Sequence, residues 1–186
     1  MNPGAHRDLR LVNVRLGGTL PEEAHRQLSA WAAECAERVL PLFESVRPGD
    51  GRPRRAVEAA YAWARGEIRA GEARTAALSS HAAARETDTA HAGAREAARA
   101  AGQAASVAHM PAHELGAAMY AIRAIRAAAP EAERMEAGRA ECRRQRSRLP
   151  NGVRNLVLDD QRLRNAKCGH VFSDEADERP QITQYE

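Results

Sequence analysis

A chain of 186 residues is the length of one domain, enough to enclose a core without disulfide or metal support, yet 41 of those residues are Ala and only 28 are Leu, Ile, Val or Phe. Its 28 basic and 25 acidic residues leave a net charge of +3, too small to steer nucleic acid or lipid, and no run approaches the roughly 18 apolar residues of a membrane span. Three scattered cysteines, Cys35, Cys142 and Cys168, form no CxxC pair, which excludes a zinc ribbon or a disulfide framework and predicts reduced thiols.

The first residues, with Pro3, His6, Arg7 and Asp8, lack the apolar segment of a signal peptide, so a cytoplasmic location is expected. Leu9, Leu11, Val14 and Leu16 alternate with polar residues and predict a short extended N-terminal arm, residues 1–20, broken at Gly17 and Gly18. Thr19 and Glu22 bracket Pro21 as a capping box, and Ala24, Leu28, Trp31, Cys35, Val39 and Leu42 follow at helical spacing until Pro41 kinks or ends the helix. Pro53 opens a second helix with the stripe Val57, Ala60, Tyr61, Ala64 and Ile68, which Gly71 is placed to end or bend.

The long span that follows divides at Thr87, Asp88 and Pro111 into helices near 72–86, 88–109 and 112–129. Pro130 stops the last of these. A helix over 131–149 and a short amphipathic one carrying Val153, Leu156, Val157 and Leu163 complete a helical domain over 21–172. The acidic, proline-interrupted residues 173–186 are expected to be a mobile tail. The expected fold is thus all-α: a compact, Ala-rich bundle of six to seven helices, because small side chains let helix axes approach closely. Burying little apolar area per residue leaves a lone subunit a modest stability margin, so a dimer or heterodimer is a natural state.

The segments at 31–44, 51–68, 97–124 and 149–172 together resemble, in that order, the immunity proteins of the type-five-immunity-like family, over about 150 residues. The resemblance implies an all-helical domain and a bacterial protein partner, a toxin neutralised by binding. This chain departs from the family pattern after its final cysteine, where Gly169 and His170 stand in place of an aromatic.

Several constellations bear on chemistry. His109 and His113 are four apart in HMPAHE, the spacing of two zinc ligands on a helix, but the glutamate of a zinc-protease motif is not in its second position and Pro111 intervenes. They are read as groove-lining histidines, and neither metal nor cofactor is expected. The 27 residues from 82 to 108 include 13 alanines, against which Trp31, Phe43, Tyr61, Trp63 and Tyr120 either interdigitate or leave a groove. Asp50 in its glycine-flanked loop reads as a turn residue, Asp159 and Asp160 as partners of Arg162 and Arg164, and Cys168 as a structural thiol. The basic run 143–148 lacks aromatics for stacking and reads as a solvated helix end, so no nucleic acid is expected.

The reading that follows is a protein-binding helical module, an immunity protein or a subunit of a heteromeric complex, whose partner is a toxin or a biosynthetic subunit. Partner recognition is expected at Arg47, Asp50, Arg52 and Arg54, where a loop on a rigid scaffold leaves side chains free of the core, and along the tail. The alternative is an enzyme, or an enzyme subunit, of specialised small-molecule metabolism. It is favoured if a polar cavity in an Ala-walled groove brings Asp50, Tyr61, His81, His109 or His113 together.

Overall fold

The computed structural model describes residues 8–173, and eight α-helices with no strand carry them. The tail from residue 174 lies outside the described residues. The N-terminal arm coils where extension was expected: Leu9–Leu11 and Val14–Leu16 are 3-10 turns, and only an isolated bridge joins Asn13 to Leu20. The cause is local, since the Asp8 and Asn13 side chains accept the Arg10 and Arg15 backbone N–H groups and hold each turn closed.

Helix α1 (Glu22–Glu37) buries Leu28, Trp31 and Cys35 of the predicted stripe, and Ala36 with them. Its capping box does not form, because the Thr19 hydroxyl donates to the Leu9 carbonyl at 3.2 Å and so ties the helix to the arm. Pro41 sits in the first turn of a separate short helix, α2 (Leu40–Glu44), where its missing N–H costs nothing. Helix α3 (Arg52–Ala64) opens on Pro53 as expected. It stops at Gly66, which adopts φ +80°, and not at Gly71, which falls in the first turn of α4 (Ala70–Glu86).

The span from 72 to 129 is three helices. The second, α5 (Ala92–Ser106), starts four residues beyond Asp88, whose carboxylate accepts from Ala90 N–H and so closes a turn, while the Thr87 hydroxyl returns to the Ala83 carbonyl. Met110 is extended (φ −147°, ψ 101°), as a residue before proline prefers, and a 3-10 turn at Pro111–His113 leads into α6 (Glu114–Ala128). Helices α7 (Arg134–Ser147) and α8 (Asn151–Arg164) finish the bundle.

Helix α5 is the centre of the bundle, packed by α1, α2, α3, α4 and α6. Its buried residues are Ala94, Ala97, Ala98, Ala100, Ala101, Gly102, Ala104, Ala105 and Ser106, so every side chain it buries is small. The large ones come from outside it: Trp31, Phe43, Leu28, Leu40, Leu115 and Ile122 are all buried. Rings and alanines therefore interdigitate in the interior. Gly102 lies inside the helix because the His81 ring rests on it, and a Cβ there would come within 2.6 Å of that ring.

Overpacking is the sensitive perturbation of such an interface. Ala101→Leu places an isobutyl group where Ala101 is 0% exposed, and is expected to cost about 1–3 kcal/mol, read as a lower denaturation midpoint with helix content retained in the folded baseline.

Candidate functional site

The segment joining α2 to α3 is turned by backbone hydrogen bonds from Arg47 N–H to Phe43 and from Asp50 N–H to Arg47, at 2.8 and 3.0 Å. Asp50 organises it. One carboxylate oxygen accepts from the Arg52 backbone N–H and Nε at 3.2 and 2.8 Å, and the other from Arg52 Nη2 at 2.6 Å and Arg47 Nη2 at 3.4 Å. Arg52 also reaches the Glu86 carboxylate at 2.5 and 3.1 Å, and Arg47 Nη1 donates to the Glu86 backbone carbonyl at 3.1 Å. Both arginines thus clamp the loop onto the C-terminal end of α4, where cations are favoured.

The Arg52 guanidinium holds the Asp50 carboxyl below its ordinary range, and Asp50 acts as a fixed anion that shapes the turn. Arg54 is separate, donating to Glu44 at 2.7 Å from an exposed position. Arg47, Asp50 and Arg52 border a shallow surface concavity of about 670 Å³, and Arg54 stands outside it.

The five residues of the enzyme alternative fall into three places. Asp50 belongs to this loop. The Tyr61 hydroxyl donates to Glu37 at 2.9 Å, and burial with that carboxylate pushes the phenol up, away from any role as a base. His81, His109 and His113 do gather. The His109 and His113 rings lie 5.5 Å apart despite the break at Pro111, and His113 Nδ1 bonds Gln103 Oε1 at 2.7 Å. Among the described residues, no group of three or more His, Cys, Asp or Glu side chains is placed to hold a metal ion. Burial, with His109 and His81 adding to it, lowers His113 to about 4, and burial also lowers His109 and His81, which favours the uncharged imidazole at each position.

Sequence reasoning missed the most buried acid. Asp159 pairs with Arg162 and Asp160 with Arg164 as expected, but Arg164 also donates to Glu114, 0% exposed, at 3.1 Å, and to the Ala112 carbonyl at 3.0 Å. Burial and the neighbouring Asp160 raise Glu114 well above its ordinary value, favouring its protonated form. The available signal was its position: Glu114 shares a helix face with Ala117, Ala118 and Ala121, all buried. Cys35, Cys142 and Cys168 are buried, and burial raises the Cys35 and Cys168 thiols, which suits structural residues. The basic run is spent internally, with Arg143 on Glu136, Arg144 on Glu141 and Arg148 on Glu34.

The histidine cluster sets a pH dependence. His113 falls from 6.5 to about 4 in the fold, so below about pH 6.5 the unfolded chain takes up a proton that the folded chain resists, and stability is lost as pH falls from about 6.5 to about 4. His113→Gln is expected to flatten this decline, measured as the change in denaturation midpoint between those two pH values.

No curated protein and no solved structure matches the chain. Residues 18–152 match the family described as "Imm-5 like putative immunity protein", covering α1 to α7 and the start of α8, and the chain belongs to that family.

Proposed function

We propose that the chain acts by binding a protein partner, a toxin that it neutralises, and that residues 47–54, the α2–α3 loop with the first turn of α3, are its recognition element. Family membership supports the immunity role. The observation that carries the choice of surface is the Asp50-centred network: Arg47 and Arg52 are held by Asp50 and Glu86 before any partner arrives, so docking orders few side chains. Arginine is favoured at the energetic centres of interfaces, since one guanidinium offers five donors and a flat stacking face. Arg54, beside that frame and exposed, extends the same surface.

The test begins with capture of partners by the full-length chain in its native host, followed by expression of the recovered protein with and without the chain. The expected result is a toxic partner whose effect the chain abolishes. Arg54→Glu, whose described ion pair is with Glu44 alone, is expected to weaken the complex about 30-fold or more with unchanged unfolding. Recovery of a biosynthetic enzyme alone, with no toxicity to relieve, would sink the immunity reading.

A further inference from the structure

Beside the loop, the surface continues into a second and larger concavity of about 760 Å³, with Val46 lining both. Its floor is the first turn of α5 and the last turn of α6, where alanines keep the helices low. Leu42 and Val46 form one side, and the opposite side is Arg134 with the turn at Gly169 and Val171. That turn is held open by its own backbone. Gly169 and His170 both take left-handed conformations, φ +71° and +56°, and the Cys168 carbonyl accepts from Arg123 Nη2 at 3.2 Å. A Cβ at Gly169 would come 3.2 Å from that same nitrogen. Gly169 and Val171 therefore form this wall.

The charge of the groove is unbalanced. Arg52, Arg54 and Arg164 each pair with a carboxylate elsewhere in the fold. The three arginines lining the groove have no such partner among the described residues. Arg123 donates to a carbonyl and lies 5.7 Å from the Tyr120 ring centre, Arg126 donates to the Met135 sulfur at 2.7 Å, and Arg134 makes no ion pair. The one carboxylate that lines the groove among the described residues, Glu96, is bound to Arg99 at 2.7 Å. The first turn of α5 adds the positive end of a helix dipole to the same side, since His91 does not cap it.

We propose that this groove takes an acidic segment of the protein partner, with carboxylates on the arginine rim and small apolar side chains on the alanine floor. The proposal rests on the partner-binding reading above and adds the chemistry of a second contact. A peptide fits better than a nucleic acid strand, because among the described residues no Phe, Tyr or Trp lines the groove to stack a base and its floor is apolar. Arginine matches carboxylate geometry with two parallel hydrogen bonds, which favours a defined pose over loose attraction.

The experiment titrates full-length protein into a fluorescein-labelled peptide of alternating glutamate and alanine, read by anisotropy at low salt. Saturable binding is expected, weakened about tenfold by Arg134→Glu and by Arg126→Gln. Arg85→Glu, on the exposed surface of α4 outside the groove, is expected to leave it unchanged. Three results would overturn the proposal. Equal weakening by Arg85→Glu would show general charge attraction. Displacement of the labelled peptide by a single-stranded oligonucleotide at concentrations no higher than those at which unlabelled peptide displaces it would assign the groove to nucleic acid. About tenfold tighter binding by full-length protein with Asp174, Glu175, Asp177 and Glu178 changed to their amides would make the chain's own acidic run the occupant. The assay contains no toxin, so a negative result here leaves the Arg54→Glu test standing, and failure to find a toxin leaves the groove measurement intact.

Discussion

Helix α5 sits among five neighbours because its side chains are too small to hold them away. Close approach brings backbone within reach of short polar side chains on the adjoining helices. Ser80 Oγ donates to the Ala98 carbonyl at 2.8 Å, and on the far side of the bundle Ser29 Oγ donates to the Ala60 carbonyl at 3.1 Å. Longer side chains bolt the outer helices in the same way: Trp31 Nε1 reaches the Gln145 carbonyl at 3.0 Å, and Gln145 Nε2 reaches the Ala118 carbonyl at 3.2 Å. Each bond satisfies a buried donor that would otherwise carry a desolvation cost. A core poor in large aliphatics is thus compensated by packing density and by polar cross-ties.

The C-terminal helix is secured differently. Helix α8 buries Val153 and Val157, and its register on α6 is set by Arg164 bridging Asp160 and Glu114. A half-buried guanidinium between two buried acids is favourable only with good geometry, and the protonated tendency of Glu114 removes one of the two negative charges from that site. Such a cluster specifies one docking position more than it adds stability. Arg146, donating to the Phe172 carbonyl at 2.7 Å, carries the same order into the turn that follows α8. That turn walls the larger groove, so buried electrostatics inside the bundle shape a surface feature outside it.

Arginine has three uses in this chain. Some guanidiniums, such as Arg47 and Arg52, serve as clamps between loop and helix; others, such as Arg164, hold the interior together; and those at the mouth of the groove remain without an acidic partner among the described residues. A net charge of +3 conceals this distribution, because it averages paired and unpaired groups alike. Recognition depends on where the uncompensated charge stands.

The all-helical class, most helix positions and the division of 72–129 were legible in the sequence, because apolar spacing and proline act locally. Thr19 and Gly71 were misread for the opposite reason: the Thr19 hydroxyl was taken by a residue ten positions away, and Gly66 supplied the left-handed turn first. Asp50 was recognisable as a turn residue between glycines, whereas its link to Glu86 across 36 positions was not. Nor was the burial of Glu114 beside Arg164 and Asp160 legible, because those partners lie about 50 positions away. The sequence by itself determined that this chain would be helices held close by alanine, since propensity and periodicity are properties of neighbouring residues. Only the tertiary structure decided which charges meet, which are buried and which are left facing a groove, because those outcomes depend on helices brought together from distant parts of the chain.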